Sequence, residues 1–316
     1  MHTKNKVMTL LALLSGSAFA TAMMNRYIKF SATSHRLLEE SHPLCFKWRL
    51  GNIYYTKSGT GKPLLLLHDF HFASSGYEWN QIVEPLKKHY TVYTLDLLGF
   101  GRSEKPNLTY TSYLFIQLIS DFIKTEIGHR TSVIATGGSA ALTVMACNTH
   151  PELFERIALI NPDSLSACSQ VSGKNIRLYK FILDLPIVGT LLYHIASSRS
   201  LLEKDFRERF FYNPYTAKTS FIDCCHESAH LGSYPKAIFS SIECCYTRCN
   251  ITTALKKIDH SIFIIGGGEE PSITSTIEEY QTLNPAIEYT LIPKTKHLPH
   301  VEQPETVLRH LTIFFS

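Results

Sequence analysis

Val133 to Cys147 reads VIATGGSAALTVMAC, a β-branched and apolar run that meets two glycines and a serine before a segment of helix formers. The pattern predicts a strand, a sharp turn and a helix, with Ser139 at the turn. A serine hydroxyl attacks well only when a base takes its proton and donors receive the developing oxyanion. A fold that uses one must therefore present it bare at a strand end. A tight strand-to-helix elbow does this when the residues two before and two after the serine are small. Gly137 and Ala141 stand at those places, giving G-x-S-x-A where G-x-S-x-G is usual. A plain packing turn would look similar, so the rest of the chain must decide.

Working outward, the same strand-then-helix alternation recurs. Cys45 to Leu50 and Asn52 to Lys57 read as a hairpin joined at Gly51. PLLLLH (Pro63 to His68) and TVYTLD (Thr91 to Asp96) are apolar runs of the kind buried on both faces of a parallel sheet. Glu78 to His89 and Tyr110 to Ile127 have helical spacing, the second closed by Gly128. ERIALIN (Glu155 to Asn161) predicts another buried strand. Leu165 to Asn250 then shows helical stretches and no convincing strand, and we read 165–250 as an inserted helical cap. Strands resume at Ser261 to Ile265 and Ile287 to Ile292, and a helix from about Pro304 to Phe315 ends the chain. The alternation predicts an α/β class fold, with a mostly parallel central sheet flanked by helices.

At 316 residues, 44% hydrophobic and 11% aromatic, the chain can build a sizeable core. A net charge of +4 is spread over short basic pairs with no stripe, so we expect no nucleic acid partner. Eight cysteines, two of the pairs adjacent, show no zinc spacing, and we expect buried free thiols, no metal and no cofactor. Nothing in the sequence sets an oligomeric state. Residues 1–30 differ in character: Val7 to Met24 carries no charge and as a helix spans about 27 Å. We expect a single N-terminal anchor holding the protein to a lipid bilayer through residues 7–24. The alternative is an exported protein whose signal peptide is removed at Ala18-Phe19-Ala20.

Four segments then match one family in order. His68-Asp69-Phe70, the turn DLLGFGRS (Asp96 to Ser103), the elbow at Gly137 to Ala141, and KHLPHVEQP (Lys296 to Pro304) together resemble the α/β-hydrolase superfamily, in particular its capped members. The resemblance covers residues 45 to 316, with the core at 45–164 and 251–316. It implies Ser139 as nucleophile, His297 as base and Glu270, in IIGGGEEP (Ile264 to Pro271), as the orienting acid, with Asp163 as the alternative acid. It places the oxyanion hole on the backbone N–H groups of Phe70 and Ala140. The implied reaction is serine hydrolysis of an ester or related small-molecule acyl substrate. A thioesterase, a C–C bond hydrolase and a catalytically silent binding protein share the fold. Dehalogenases and epoxide hydrolases are disfavoured, because those relatives place an aspartate at the elbow. Three positions depart from the pattern: Asp69 replaces a glycine, Gly138 a larger residue, and Ala141 the last glycine. Asp69 sets a carboxylate beside the oxyanion hole.

Overall fold

The computed structural model describes residues 2–40, 43–171 and 173–316. Its centre is one sheet of strands β1 (Leu44–Trp48), β2 (Gly51–Ser58), β3 (Lys62–Leu67), β4 (Tyr90–Leu95), β5 (Thr131–Thr136), β6 (Phe154–Ile160), β7 (Ser261–Gly267) and β8 (Glu288–Ile292). They lie in the order β1-β2-β4-β3-β5-β6-β7-β8. The hairpin pairs antiparallel at one edge and every other neighbour is parallel, apart from β2 against β4. This is the mostly parallel α/β sheet expected from the alternation, in the α/β-hydrolase architecture that the resemblance implies.

The unbroken apolar runs explain the middle of the sheet. Leu64 to Leu67, Val133 to Ala135 and Ile157 to Ile160 have no exposed surface, because helices cover both faces. After the N-terminal α1 (His2–Thr33), these helices are α2 (Asn80–Leu86), α3 (Ser112–Phe122) and α4 (Gly138–Thr149). Leu65, Leu67 and Val133 face the cluster that includes Phe115 and Val144, while Leu64, Leu66 and Ile134 face Ile82 and Leu311. The long helix expected at Tyr110 to Ile127 is capped by the Thr111 hydroxyl, and it loosens into a π turn at Ile123–Ile127. Gly128 then stops it at φ 73°.

Between β6 and β7 the described residues contain only helical elements: α5 (Leu165–Cys168), α6 (Lys174–Asp184), α7 (Val188–Ala196), α8 (Arg199–Asp205), α9 (Thr219–His230), α10 (Pro235–Glu243) and α11 (Thr252–Lys257). Tyr193, Phe206, Phe211, Phe221 and Ile222 pack into one cluster with Phe72, Leu298 and Val301 from outside the insertion, while Cys168, Ile238, Ala254 and Leu255 join the cluster that includes Phe115 and Val144. All eight cysteines are free thiols, five of them buried. The chain closes with α12 (Ile273–Leu283), α13 (Pro299–Glu302) and α14 (Pro304–Phe315), the last two separated at Gln303, which leaves the helical region before Pro304.

Among the described residues no single helix is long and apolar enough to cross a membrane. The expected segment Val7 to Met24 falls partly outside the residues whose side chains are described. From Ser15 onward α1 exposes Phe19, Met23, Met24, Tyr27 and Phe30. It is tied to the insertion by Asn25 Oδ1 2.7 Å from His194 Nε2 on α7, and by Lys29 Nζ donating to Gly232 O.

Candidate active site

The register of β3 against β5 builds the site. Leu64 pairs with Ser132 and Leu67 with Ala135, so two residues further on Asp69 comes level with Gly137. Gly137 holds φ 52° and ψ −125° at the start of α4, a left-handed conformation that costs a non-glycine residue stability. A Cβ there would sit 3.4 Å from His297 Nε2 and only 1.9 Å from Asp69 Oδ1. The apex of the elbow is therefore Gly137, with Ala135 and Ser139 as the small residues two before and two after it.

This changes the place of Ser139. Its side chain is fully buried in the first turn of α4, with its hydroxyl donating to His68 O at 2.5 Å. The structure does not bring it to His297, whose Nε2 lies 3.0 Å from Asp69 Oδ2. Asp69 Oδ1 accepts from the N–H of Phe70 at 2.7 Å and of Gly138 at 3.2 Å. Of the two N–H groups expected as oxyanion donors, that of Phe70 faces Asp69 Oδ1; that of Ala140 donates to Gly137 O inside the helix, and Gly138, the residue after the apex, donates to Asp69 Oδ1 beside Phe70. The carboxylate also meets the N-terminal end of α4, where the helix dipole favours negative charge.

The pair is ionic. Burial alone would push the Asp69 carboxyl up, but the charge and hydrogen bond of His297, with His71 and the Phe70 N–H, hold it below its ordinary 3.8. Burial alone would lower His297; Asp69 first, then Glu270 and Asp163, raise it to about 9. His297 at neutral pH is thus an imidazolium donating to Asp69. The two side chains keep 21% and 9% of their surface, and both line a cavity of about 250 Å³ with Phe70, Gly138, Asp163 and Phe210. Phe210, from the insertion, stands edge-on to His297 with ring centres 4.7 Å apart.

Neither expected acid hydrogen-bonds the imidazole; both act on it through charge. Glu270 follows β7 with its carboxyl raised by burial and with Oε2 buried and unpartnered. Asp163 borders the cavity, its carboxyl raised by burial and then by Asp69. Asn161, at φ 42° after β6, holds the histidine loop: its Nδ2 donates to Lys296 O and His297 O, and its Oδ1 accepts from Gly267 N. The Asp96 turn is structural, its carboxylate accepting from Gly76 N and from Arg102 N and Nε. Among the described residues no group of three or more His, Cys, Asp or Glu is placed to hold a metal ion.

Two clues to Asp69 stood in the sequence, the aspartate in place of glycine after β3 and the glycine pair before Ser139. Each was legible as a separate departure. Together they are one exchange, in which the side chain missing from the elbow is supplied by the neighbouring strand.

Comparison with known proteins agrees with this architecture. The model of the alpha/beta hydrolase family matches residues 64–310. A 2-hydroxy-6-oxo-6-(2'-aminophenyl)hexa-2,4-dienoic acid hydrolase of Metapseudomonas resinovorans is 32% identical over 115 residues, 35% of this chain and 39% of that protein. Epoxide hydrolase 4 of Mus musculus is 34% identical over 115 residues, 34% of this chain and 31% of that protein. The chain thus aligns with well under half the length of these curated relatives. Among solved structures, Cfl2 of Burkholderia cenocepacia superposes with a TM-score of 0.72 at 15% identity, over 87% of this chain and 95% of the other.

Proposed function

Since this chain belongs to the alpha/beta hydrolase family, we propose that it hydrolyses a small organic substrate held in the cavity above Gly137, with His297 moving the proton. The N–H groups of Phe70 and Gly138 receive the developing negative charge. One observation carries this reading: His297 Nε2 and those two N–H groups converge on the two oxygens of a single carboxylate beside the elbow. Ester cleavage through Ser139 is not part of the proposal, because that hydroxyl is bonded to His68 O and does not line the cavity. The test is a panel of esters, thioesters, vinylogous diketones and epoxides offered to the wild type and to His297→Gln. The wild type should turn over at least one class, and His297→Gln should lose it by about 10³-fold or more. Equal rates in the two proteins would remove His297 from the reaction.

A second reading is favoured by the same carboxylate. Asp69 fills the donor pair that an incoming oxyanion needs, as expected of a silent binding protein. In that case the wild type turns over nothing in the panel, while a cavity ligand still raises its melting temperature.

For location, we propose that α1 lies on a lipid surface instead of crossing it. Support comes from the exposed Phe19, Met23, Tyr27 and Phe30 beside Arg26 and Lys29, an amphiphilic pattern suited to the headgroup boundary. Flotation with anionic vesicles tests this. Replacing Phe19, Met23, Tyr27 and Phe30 with serine should release the protein, and unchanged flotation would refute it.

A further inference from the structure

The hydrolase reading does not say which atom attacks the substrate. Gly137 offers no side chain at the elbow, and Ser139 is turned away from the cavity. Asp69 has one oxygen, Oδ1, gripped by two backbone donors, and a second, Oδ2, that among the described residues takes its hydrogen bond from His297 at the cavity wall. We propose that Asp69 is the nucleophile, carried to the elbow from the end of β3 in place of a β5 side chain, and that the substrate class is an epoxide. The proposal rests on the hydrolase reading above and names the attacking atom and the bond broken.

The chemistry follows from what each oxygen touches. Attack of a carboxylate on an ester carbonyl yields an anhydride, no more stable than what it came from, whereas attack on a saturated carbon yields an ordinary ester. In the first step Asp69 Oδ2 bonds to one epoxide carbon, that carbon's bond to the ring oxygen breaks, and the ring oxygen takes the Nε2 proton of His297. The products are a hydroxyalkyl ester on Asp69 and a neutral imidazole. In the second step the imidazole takes a proton from water as the water oxygen bonds to Asp69 Cγ. Negative charge collects on Oδ1, already held by the Phe70 and Gly138 N–H groups. The Cγ–Oδ2 bond then breaks, the departing oxygen takes the proton of the hydroxyl newly bound to Cγ, and the diol leaves. Ionised Asp69 and protonated His297 are restored, and the sum is epoxide plus water giving a vicinal diol.

The proton that His297 Nε2 holds 3.0 Å from Asp69 Oδ2 separates epoxides from alkyl halides. A departing halide needs no proton, so His297 would keep its own and be unable to accept one from water in the second step. An opening epoxide uses that proton and leaves the ring ready as a base.

The experiment uses the full chain in excess over styrene oxide, for a single turnover in heavy-oxygen water. If Asp69 attacks, the first diol carries ordinary oxygen from the protein, and mass spectrometry finds heavy oxygen in the peptide containing Asp69. Heavy oxygen in the first diol with an unlabelled peptide would mean direct attack by water, overturning the nucleophile and leaving the hydrolase reading intact. Hydrolysis of a p-nitrophenyl ester but no epoxide would do the same, and no turnover of any class in the panel above would overturn both. Asp69→Asn should reduce diol formation by about 10⁴-fold or more. Retention of the wild-type rate in that variant would also end the proposal.

Discussion

At the scale of the residue, the site turns on an exchange between Gly137 and Asp69. Because a Cβ at 137 would lie 1.9 Å from Asp69 Oδ1, Gly137→Ser alone should fold poorly, with a melting temperature well below that of the wild type. Pairing it with Asp69→Gly removes the obstacle and leaves a serine side chain starting 3.4 Å from His297 Nε2. The double variant should therefore gain labelling by a fluorophosphonate, which the wild type should resist; no labelling would show that Gly137 is not the apex. The Asp69–His297 pair also sets a pH dependence. Asp69 is depressed, so its contribution to stability is present above its ordinary 3.8 and is lost as pH falls through its lower folded value. His297 is raised, so its contribution is complete below its ordinary 6.5 and is lost as pH rises through about 9. Melting temperature should thus decline between pH 6.5 and about 9, and Asp69→Asn should flatten that decline. An equal slope in both proteins would deny the pairing.

At the scale of the element, the sheet's carboxyl edge positions the chemistry, and Asn161 links three of its loops. One side chain ties the end of β6 to the end of β7 and to the loop that carries His297. The approach is so close that a Cβ on Gly267 would meet Lys296 O at 1.9 Å. Asn161→Ala should cost about 2–4 kcal/mol, since buried groups on both loops lose their partners. Denaturant unfolding measures it, and a loss below about 0.5 kcal/mol would show that the loops hold without it. Glu302 does similar work toward the insertion, accepting from Tyr212 N, Asn213 N and Lys296 N. The segment that brings Phe210 over the imidazole is thereby fastened to the loop that brings the imidazole itself.

At the scale of the whole molecule, the N-terminal segment is joined to the insertion and also to the core, where Arg102 Nη1 donates to Leu38 O and pairs with Glu40. The buried carboxylate of Glu227 on α9 accepts from the N–H groups of Leu37 at 2.7 Å and Leu38 at 3.2 Å, satisfying two backbone donors just after α1. Replacing Glu227 with alanine should loosen this junction and speed tryptic cleavage after Arg36 by about tenfold, in proportion to the opened population. An unchanged cleavage rate would show that other contacts hold α1. Because the same insertion roofs the cavity, lipid attachment of α1 would set the distance between a membrane surface and the site.

Strand and helix types and the run of helices between the apolar strands at 155–161 and 261–265 were readable from sequence. They depend on local periodicity and on turn residues that act within a few positions of themselves. The frame of the elbow was not readable in that way. GGSA permits two frames for the elbow, and sequence spacing favours the one centred on serine. The choice is made by the parallel register of β3 and β5, which sets Asp69 beside Gly137 although 68 positions separate them in the chain. A glycine at the apex is needed there because a carboxylate from the next strand already occupies the space that its side chain would fill. Only tertiary structure brings those two facts into contact.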